Sequence, residues 1–362
     1  MLRSSDLLFL AGFIFPVGGI IAPAAAEAQV QINSRAAELT ITGRVHTQFN
    51  TTSVNGERAS EFLMRRVRLT GELKINDFVS GKVQPDFGQG TISLKDAYVR
   101  LTFGPAFRTT FGQFKRPFDL FELTSSTQIL VVERAGDIRG VDACAGVGGV
   151  CSLSRLTEKL QFSDRDIGVL IDGSNATGAF EYSASLTNGT GANAPDENGA
   201  KSFTGRVGYE VTDNVTIGAN FALHDYPDPL FAANAEYATA FGTDIEIGDF
   251  SEGLHIQAGV VAGDNWRNLI AGQPSSFLAA QVILAGRIPI RGSERVVAVE
   301  PVIRISWGDP NTDLSGDGGS LTTSGVVVHF TGRNKLGINL EFWDPSTGLG
   351  DLSLKIQSYL HF

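Results

Sequence analysis

The last twelve residues, DLSLKIQSYLHF, alternate between two kinds of face up to the final position. Leu352, Leu354, Ile356, Leu360 and Phe362 fall on one side, interrupted only by Ser358. Asp351, Ser353, Lys355, Gln357, Tyr359 and His361 fall on the other. Such period-two alternation marks a strand with one apolar and one wet face. Left unpaired at the end of a chain, it would be an adhesive edge. The same pattern recurs from LTITGRVHTQFN (39–50) and RVRLTGELK (66–74) onward. Segments near 39–50, 61–75, 77–87, 93–104, 106–115, 158–172, 179–188, 201–211, 214–224, 234–244, 252–262, 276–289, 294–307, 320–331, 334–343 and 351–362 make sixteen.

Their connections alternate in length. Short turns at 75–77, 104–106, 212–214 and 331–333 exchange with longer Gly/Asp/Asn-rich loops at 88–92, 116–157, 189–200, 225–233, 263–275, 308–319 and 344–350. This is the plan of an up-and-down antiparallel sheet. An even strand number brings both ends of the sheet to the short-turn rim, where the last strand can pair with the first. The expected fold is all-β: a closed 16-stranded antiparallel barrel.

A soluble sandwich would show similar alternation, but three features favour a transmembrane barrel. Segments of ten to twelve residues match the roughly 9–11 residues with which a tilted strand crosses a bilayer. Aromatics mark strand ends on the apolar face, at Phe49, Phe103, Phe107, Tyr209, Phe342 and Phe362, as an interfacial girdle requires. The opposite face carries arginines, which a sandwich core excludes. In lipid, only a closed sheet satisfies its own backbone.

The first thirty residues fit an export leader. Arg3 supplies the positive end, Leu7 to Ile21 the apolar stretch, and Ala26-Glu27-Ala28 the cleavage site. The expected division is a signal peptide over 1–28 and a barrel domain over 29–362, bound for the bacterial outer membrane. The net charge of −10 gives no basic excess for nucleic acid. Cys144 and Cys151 are the only cysteines; in an exported protein a disulfide across their glycine-rich loop is the expectation.

Nothing in the chain marks a catalytic centre. His46, His224, His255, His329 and His361 lie on separate strands, and no nucleophile motif or phosphate loop occurs. The acidic stretch 309–319 has Leu314 and Ser320 where a calcium loop needs glycine and glutamate, and reads as a solvated loop. No cofactor is implied. The informative residues are basic and lie on the lumen parity: Arg44, Arg66, Arg68, Lys74, Lys82, Arg100 and Arg108, with Glu72, Asp86 and Asp96 among them. Two readings compete. Either these charges pair across the wall, or they form an electropositive track for anions. The longest connection, 116–157, carries Phe118, Leu120, Phe121 and an apolar run at 129–132, so it is expected to fold inward. It brings Arg116, Arg134, Arg139 and Arg155 with hydroxyls at Thr124, Ser125, Ser126 and Thr127, donors suited to oxyanions.

At FLMRRVRLTGELKINDF (62–78), SLKDAYVRL (93–101), GQFKRPFDLFELTSS (112–126), ERA (133–135) and RDIGV (165–169) the chain resembles the phosphate-selective porin O and P family. The resemblance implies a trimeric, sixteen-stranded outer-membrane porin with an inward-folded third loop. By motif it implies pore roles for Arg66, Arg68, Asp96, Lys115, Ser125, Ser126 and Arg134. Implied partners are small phosphate-like anions and further copies of the chain; a barrel in the outer membrane adds lipid and lipopolysaccharide, and Phe362, ending the strand that must be recognised and zipped to the first, is expected to be the signal for the barrel-assembly machinery. Charge is unevenly distributed: residues 1–165 hold 19 Lys and Arg against 16 Asp and Glu, and 166–362 hold 10 against 23. A general diffusion pore without phosphate specificity, a plugged structural or adhesive barrel, and a barrel enzyme therefore stay open as alternatives.

Overall fold

The computed structural model describes residues 30–34, 37–227 and 235–362. The expected leader and most of the 225–233 loop lie outside the described residues. A short strand, β1 (Val30–Ser34), pairs with the start of β2 (Ala37–Val54). The wall continues through β3 (Glu57–Lys74), β4 (Val79–Asp86), β5 (Ser93–Gly104), β6 (Phe107–Lys115), β7 (Arg165–Ser174), β8 (Phe180–Thr187) and β9 (Ser202–Thr212). It is completed by β10 (Val215–Pro227), β11 (Ala235–Ile247), β12 (Gly253–Ile270), β13 (Gln273–Pro289), β14 (Val296–Asp309), β15 (Gly319–Phe330), β16 (Lys335–Pro345) and β17 (Asp351–His361). Each of β2 to β17 pairs antiparallel with its sequence neighbours, and β17 pairs with β2 from Leu352↔Ser53 to His361↔Arg44. The barrel of sixteen strands is closed, and the terminal alternation is accounted for.

The seam is finished by the last residue. Gly43 N donates to the Phe362 carbonyl at 2.6 Å, and Phe362 N donates to the Gly43 carbonyl at 3.0 Å. The Phe362 ring lies over Gly43 so closely that a Cβ there would sit 2.2 Å from the ring Cζ. Aromatic girdles appear on the outer face as expected. The rings of Phe78, Phe103 and Phe107 follow one another at 5.1 and 5.4 Å beside the short-turn rim, and Phe203, Phe221 and Phe241 at 6.1 and 5.0 Å toward the opposite rim.

Several expected boundaries move; β2 and β3 run on through 51–60 to a turn at Asn55 and Gly56. Residues 263–275 are not a loop: β12 and β13 run on as a long hairpin that turns at Ala271 (φ 53°) and Gly272 (φ 83°). Both central residues take positive φ, as a two-residue hairpin turn demands. Asp264, Asn265, Arg267 and Asn268 break the apolar alternation there, which concealed the strand. Residues 158–164 are not strand either. They continue the long connection, which spans 116–164 and contains the helices α1 (Leu120–Leu123) and α2 (Leu153–Lys159).

A Gly43→Val substitution should force the Phe362 ring off the seam and lower the fraction of unboiled protein that migrates as a compact band in mild detergent. An unchanged folded fraction would show that this contact does not guide closure.

Candidate functional site

The connection between β6 and β7 turns into the barrel and builds a core there. Asp119 caps α1 through Phe121 N at 2.9 Å, and Ser152 caps α2 through Arg155 N at 3.1 Å. Cys144 and Cys151 are bonded, with their Cα atoms 4.9 Å apart. Phe118, Phe121, Leu130, Val131, Ile138, Val150, Leu153, Leu156, Leu160 and Phe162 pack as one cluster against the inner wall. The wall contributes Ala222, Ala238, Ala240, Val261, Phe277, Ala279, Ile283, Ala285, Val302, Leu321 and Trp343, from β10 to β16. Many of these are alanines, which leave room for the loop's larger side chains. The signal was present in sequence: SSFLAAQVILAG (275–286) is apolar on both faces. Strands that are apolar inside and outside mark where the loop docks.

Filling that side leaves the opposite side open. A polar cavity of about 520 Å³ runs between the loop and β2 to β7. Arg44, Arg65, Arg66, Arg68, Arg134, Arg155, Arg165, Lys82, Lys95, Lys115 and Lys159 line it, against Asp96, Glu122, Glu133, Asp137, Glu158 and Asp164. All of its lining residues are numbered 44 to 165, so the acidic residues after 165 take no part. A second cavity of similar size, bearing Gln48, Asn50 and Glu61, adjoins it at Arg65, Gln89, Glu133 and Asp137. A third, bearing Lys74, Tyr98 and Arg100, adjoins it at Lys82. The three stand in series from the long-loop rim to the short-turn rim.

Two bulges concentrate charge in the central cavity. In β3, His46 pairs with Arg66 and Thr47 with Met64, which leaves Arg65 as the additional residue. In β5, Lys95 and Asp96 together oppose Gln84. Each bulge re-aims a side chain, so the consecutive pairs Arg65-Arg66 and Lys95-Asp96 both line the cavity. Strict alternation had placed Arg66 and Asp96 there and could not place Arg65 or Lys95.

Glu133 fastens the loop. Arg65 donates to its two oxygens at 2.7 and 2.9 Å, and Arg66 at 3.3 and 3.2 Å. Burial by itself would raise the Glu133 carboxyl, but Arg65 and Arg66 outweigh it and hold the group well below the usual carboxylate range. Glu122 behaves alike: burial opposes ionisation, yet Arg134 and Lys115 bring its pKa down to about 2. Backbone ties complete the docking. Arg304 donates to the carbonyls of Glu133 and Arg134 at 2.8 and 2.6 Å, Val132 N donates to Asn339 Oδ1 at 2.6 Å, and Lys335 donates to the Ile129 carbonyl at 3.1 Å.

The expected site residues divide into three groups. Arg44, Arg66, Arg68, Asp96, Lys115, Ser125, Ser126 and Arg134 all line the central cavity. Within it Arg68 pairs with Asp86 at 2.6 Å, and Asp96 accepts from Arg165 at 2.7 Å. Lys115 reaches Glu122 at 3.0 Å, and Arg134 donates to the Phe121 carbonyl at 2.8 Å. Arg44 donates to Ser126 Oγ at 2.7 Å, and Ser125 Oγ lies 3.0 Å from Thr127 Oγ1. Arg44 and Lys95 have no carboxylate partner among the described residues. Arg100 lies elsewhere, in the cavity toward the short-turn rim, bonded to Thr110 at 2.9 Å. Arg116 was expected among the oxyanion donors that the loop brings inward but is only 1% exposed, donates to the Ser163 carbonyl at 2.9 Å, and is absent from the passage lining. It is the first residue after β6, where the chain turns inward beneath its own loop core.

A closed barrel with a polar, charged passage and an inward-folded loop is the architecture of an outer-membrane diffusion channel. The sequence model of the phosphate-selective porin O and P family matches residues 39–249, more than half of the chain, and the protein belongs to that family. It is a porin of the bacterial outer membrane. No protein of curated function matches its sequence. Among solved structures, it is similar to the outer membrane channel DcaP of Acinetobacter baumannii, with a TM-score of 0.61 at 13% identity over 91% of this chain and 99% of that one. The anion-selective porin of Comamonas acidovorans gives a TM-score of 0.62 at 12% identity over 90% and 100%. OprB of Pseudomonas putida gives 0.57 at 11% identity over 90% and 94%. At these identities the likeness is one of fold.

The loop core contains a carboxyl that titrates near neutrality. Burial pushes Asp119 up to about 7, against hydrogen bonds from Thr157 Oγ1 at 2.8 Å and Phe121 N. An acid whose pKa is raised on folding keeps its proton in the folded state, so loop docking should weaken as pH rises from about 4 through 7. Asp119→Asn should flatten that dependence and favour docking at pH 8 by up to about 4 kcal/mol. Hydrogen exchange across 116–164, corrected for intrinsic rates, checks this; equal slopes with pH in both proteins would refute it.

Proposed function

We propose that this porin prefers anions, with phosphate and related oxyanions as the solutes its passage is suited to, and that it works as a homotrimer. The observation that carries the reading is the lining of the central cavity, where eleven basic side chains face six acidic ones. The excess is not spread evenly among ion pairs. Arg44, which donates to Ser126 Oγ, and Lys95 stand without carboxylate partners among the described residues. Guanidinium, ammonium and hydroxyl donors in a narrow passage replace part of an oxyanion's hydration shell. Fixed positive charge within about 8 Å of the path raises local anion concentration and repels cations.

The pairing alternative accounts for part of the charge. Arg65 and Arg66 share Glu133, Arg68 holds Asp86, and Arg165 holds Asp96. These four arginines support the wall and the loop, and they add less to the field than their number suggests. The anion-preferring reading therefore rests chiefly on Arg44 and Lys95. A porin without phosphate specificity remains the second reading, favoured by the acidic residues Glu61, Glu133 and Asp137 around the outer cavity.

Reversal potentials in a salt gradient across a planar bilayer test the proposal. Arg44→Gln with Lys95→Gln should move the potential toward cation preference, with roughly a twofold or greater fall in the chloride-to-potassium permeability ratio, and should weaken any phosphate block of chloride current. Glu133→Gln should shift the potential the opposite way while making the current noisier, because leaving Arg66 buried without its partner costs about 3–5 kcal/mol of loop docking. If the double variant inserts normally and keeps wild-type selectivity, the assignment of these two cations is wrong.

A further inference from the structure

Charge on the short-turn rim is sorted by arc. Short turns of a bacterial outer-membrane barrel face the periplasm, so this rim stands at the headgroups of the inner, phospholipid leaflet. The turns at 75–78, 105–106, 175–179, 213–214 and 248–252 carry four charged residues, Asp77, Asp213, Asp249 and Glu252, all acidic. The next two turns reverse the sign. The turn between β13 and β14 holds Arg291 and Arg295 with Glu294, and the turn between β15 and β16 holds Arg333.

These two turns form one platform. Thr331 N donates to the Arg295 carbonyl at 3.3 Å, and Thr331 Oγ1 donates to the Glu294 carbonyl at 2.6 Å. Asn334 Oδ1 accepts from His361 N at 2.9 Å, which ties the second turn to the terminal strand. Arg291, Arg295 and Arg333 are exposed, and none has a carboxylate within ion-pair distance among the described residues. Residues 166–362 hold 23 Asp and Glu against 10 Lys and Arg. Deeper in the wall that surplus takes up Arg206, Arg304 and Lys355, yet it leaves the three rim arginines uncompensated. Just inside the platform the wall is apolar: Ile288 and Ile290 are exposed on β13 and the residue after it, as are Leu360 and Phe362 beside the second turn. Acyl chains meet such a surface, and an arginine stem reaches from it into the headgroup layer.

We propose that Arg291, Arg295 and Arg333 bind the phosphodiester of an anionic phospholipid, of the phosphatidylglycerol type, in the inner leaflet of the outer membrane. Guanidinium groups pair with phosphate oxygens through parallel N–H donors, and each basic residue near an anionic lipid surface adds to the attraction. One amphiphile meets both halves of the surface, with its chains on Ile288 and Ile290 and its phosphate on the arginines. Free phosphate meets only the charges. The acidic turns elsewhere on the rim repel the same headgroup, so the lipid is held on one side of the barrel. The site lies outside the passage and is independent of the ion preference proposed above.

Native mass spectrometry of the full protein, purified from outer membranes and stripped of lipid in mild detergent, tests it. Wild type should retain added phosphatidylglycerol over phosphatidylethanolamine by about fivefold or more. Arg291→Gln with Arg295→Gln and Arg333→Gln should bring that ratio to within about twofold. Arg58→Gln, which removes an exposed arginine at the opposite rim, should leave it unchanged. Heat-modifiable migration reports folding. Should the triple variant assemble poorly, Arg291→Gln with Arg295→Gln, confined to one exposed turn, should still lower the ratio by about twofold or more. Inorganic phosphate in large excess should displace little of the lipid. Equal retention of both lipids by wild type, an unchanged ratio in the variants of the platform, or an equal loss in Arg58→Gln overturns the proposal. Full displacement by inorganic phosphate gives the patch to the free anion, and binding to purified peptidoglycan that only the platform variants lose gives it to the cell wall. Either result overturns the lipid assignment as well.

Discussion

Inside hydrocarbon, a backbone N–H or C=O that finds no partner costs several kcal/mol, and most of this fold follows from that penalty. Sixteen amphipathic strands cannot remain an open sheet there, so β17 must return to β2, and the two pair over their shared length with an unbroken register. The terminal Phe362 closes the last gap by exchanging both of its backbone bonds with Gly43 and laying its ring where that glycine leaves space.

Closure creates a lumen, and the loop between β6 and β7 divides it. One side is filled by a hydrophobic core in which loop side chains meet alanines and branched aliphatics of β10 to β16. The other side is left wet, lined by β2 to β7 and by the charged face of the loop. This division resolves the contrast between the two halves of the sequence. Acidic residues after 165 do not surround the passage. Several are paired within the wall, as Asp244 is with Arg206 and Glu341 with Arg304 and Lys355. A net charge summed along the chain says little about a pore that samples only one arc of its barrel.

Within the wet arc, carboxylates position the cations as much as they cancel them. Glu133 sits between two neighbouring guanidinium groups and holds the loop to β3, and Glu122 ties Lys115 and Arg134 together. Both are buried enough that only these cations keep them ionised. What remains free after this pairing, Arg44 and Lys95, is a small part of the basic inventory. It is nevertheless the part that no carboxylate reaches within ion-pair distance among the described residues.

The alternation of the strands, the strand number, the closed sheet, the girdle aromatics and the inward loop were all legible in the sequence, because side-chain parity in a strand is a local property repeated every two residues. Most of the candidate lining was legible for the same reason: Arg44, Arg66, Arg68 and Asp96 follow from parity alone. Where parity failed, the cause was tertiary. Arg65 and Lys95 turn inward because bulges insert one residue against the partner strand, and a bulge is a relation between two strands. Arg116 leaves the passage because the loop core folds over it, and the β12–β13 hairpin is hidden because Asp264, Asn265, Arg267 and Asn268 interrupt its alternation. A sequence fixes which way each side chain of a regular strand points. Which cations lose their field to a neighbouring carboxylate, and which arc of the barrel stays open, depends on contacts between residues up to about 300 positions apart, and those exist only once the sheet has closed.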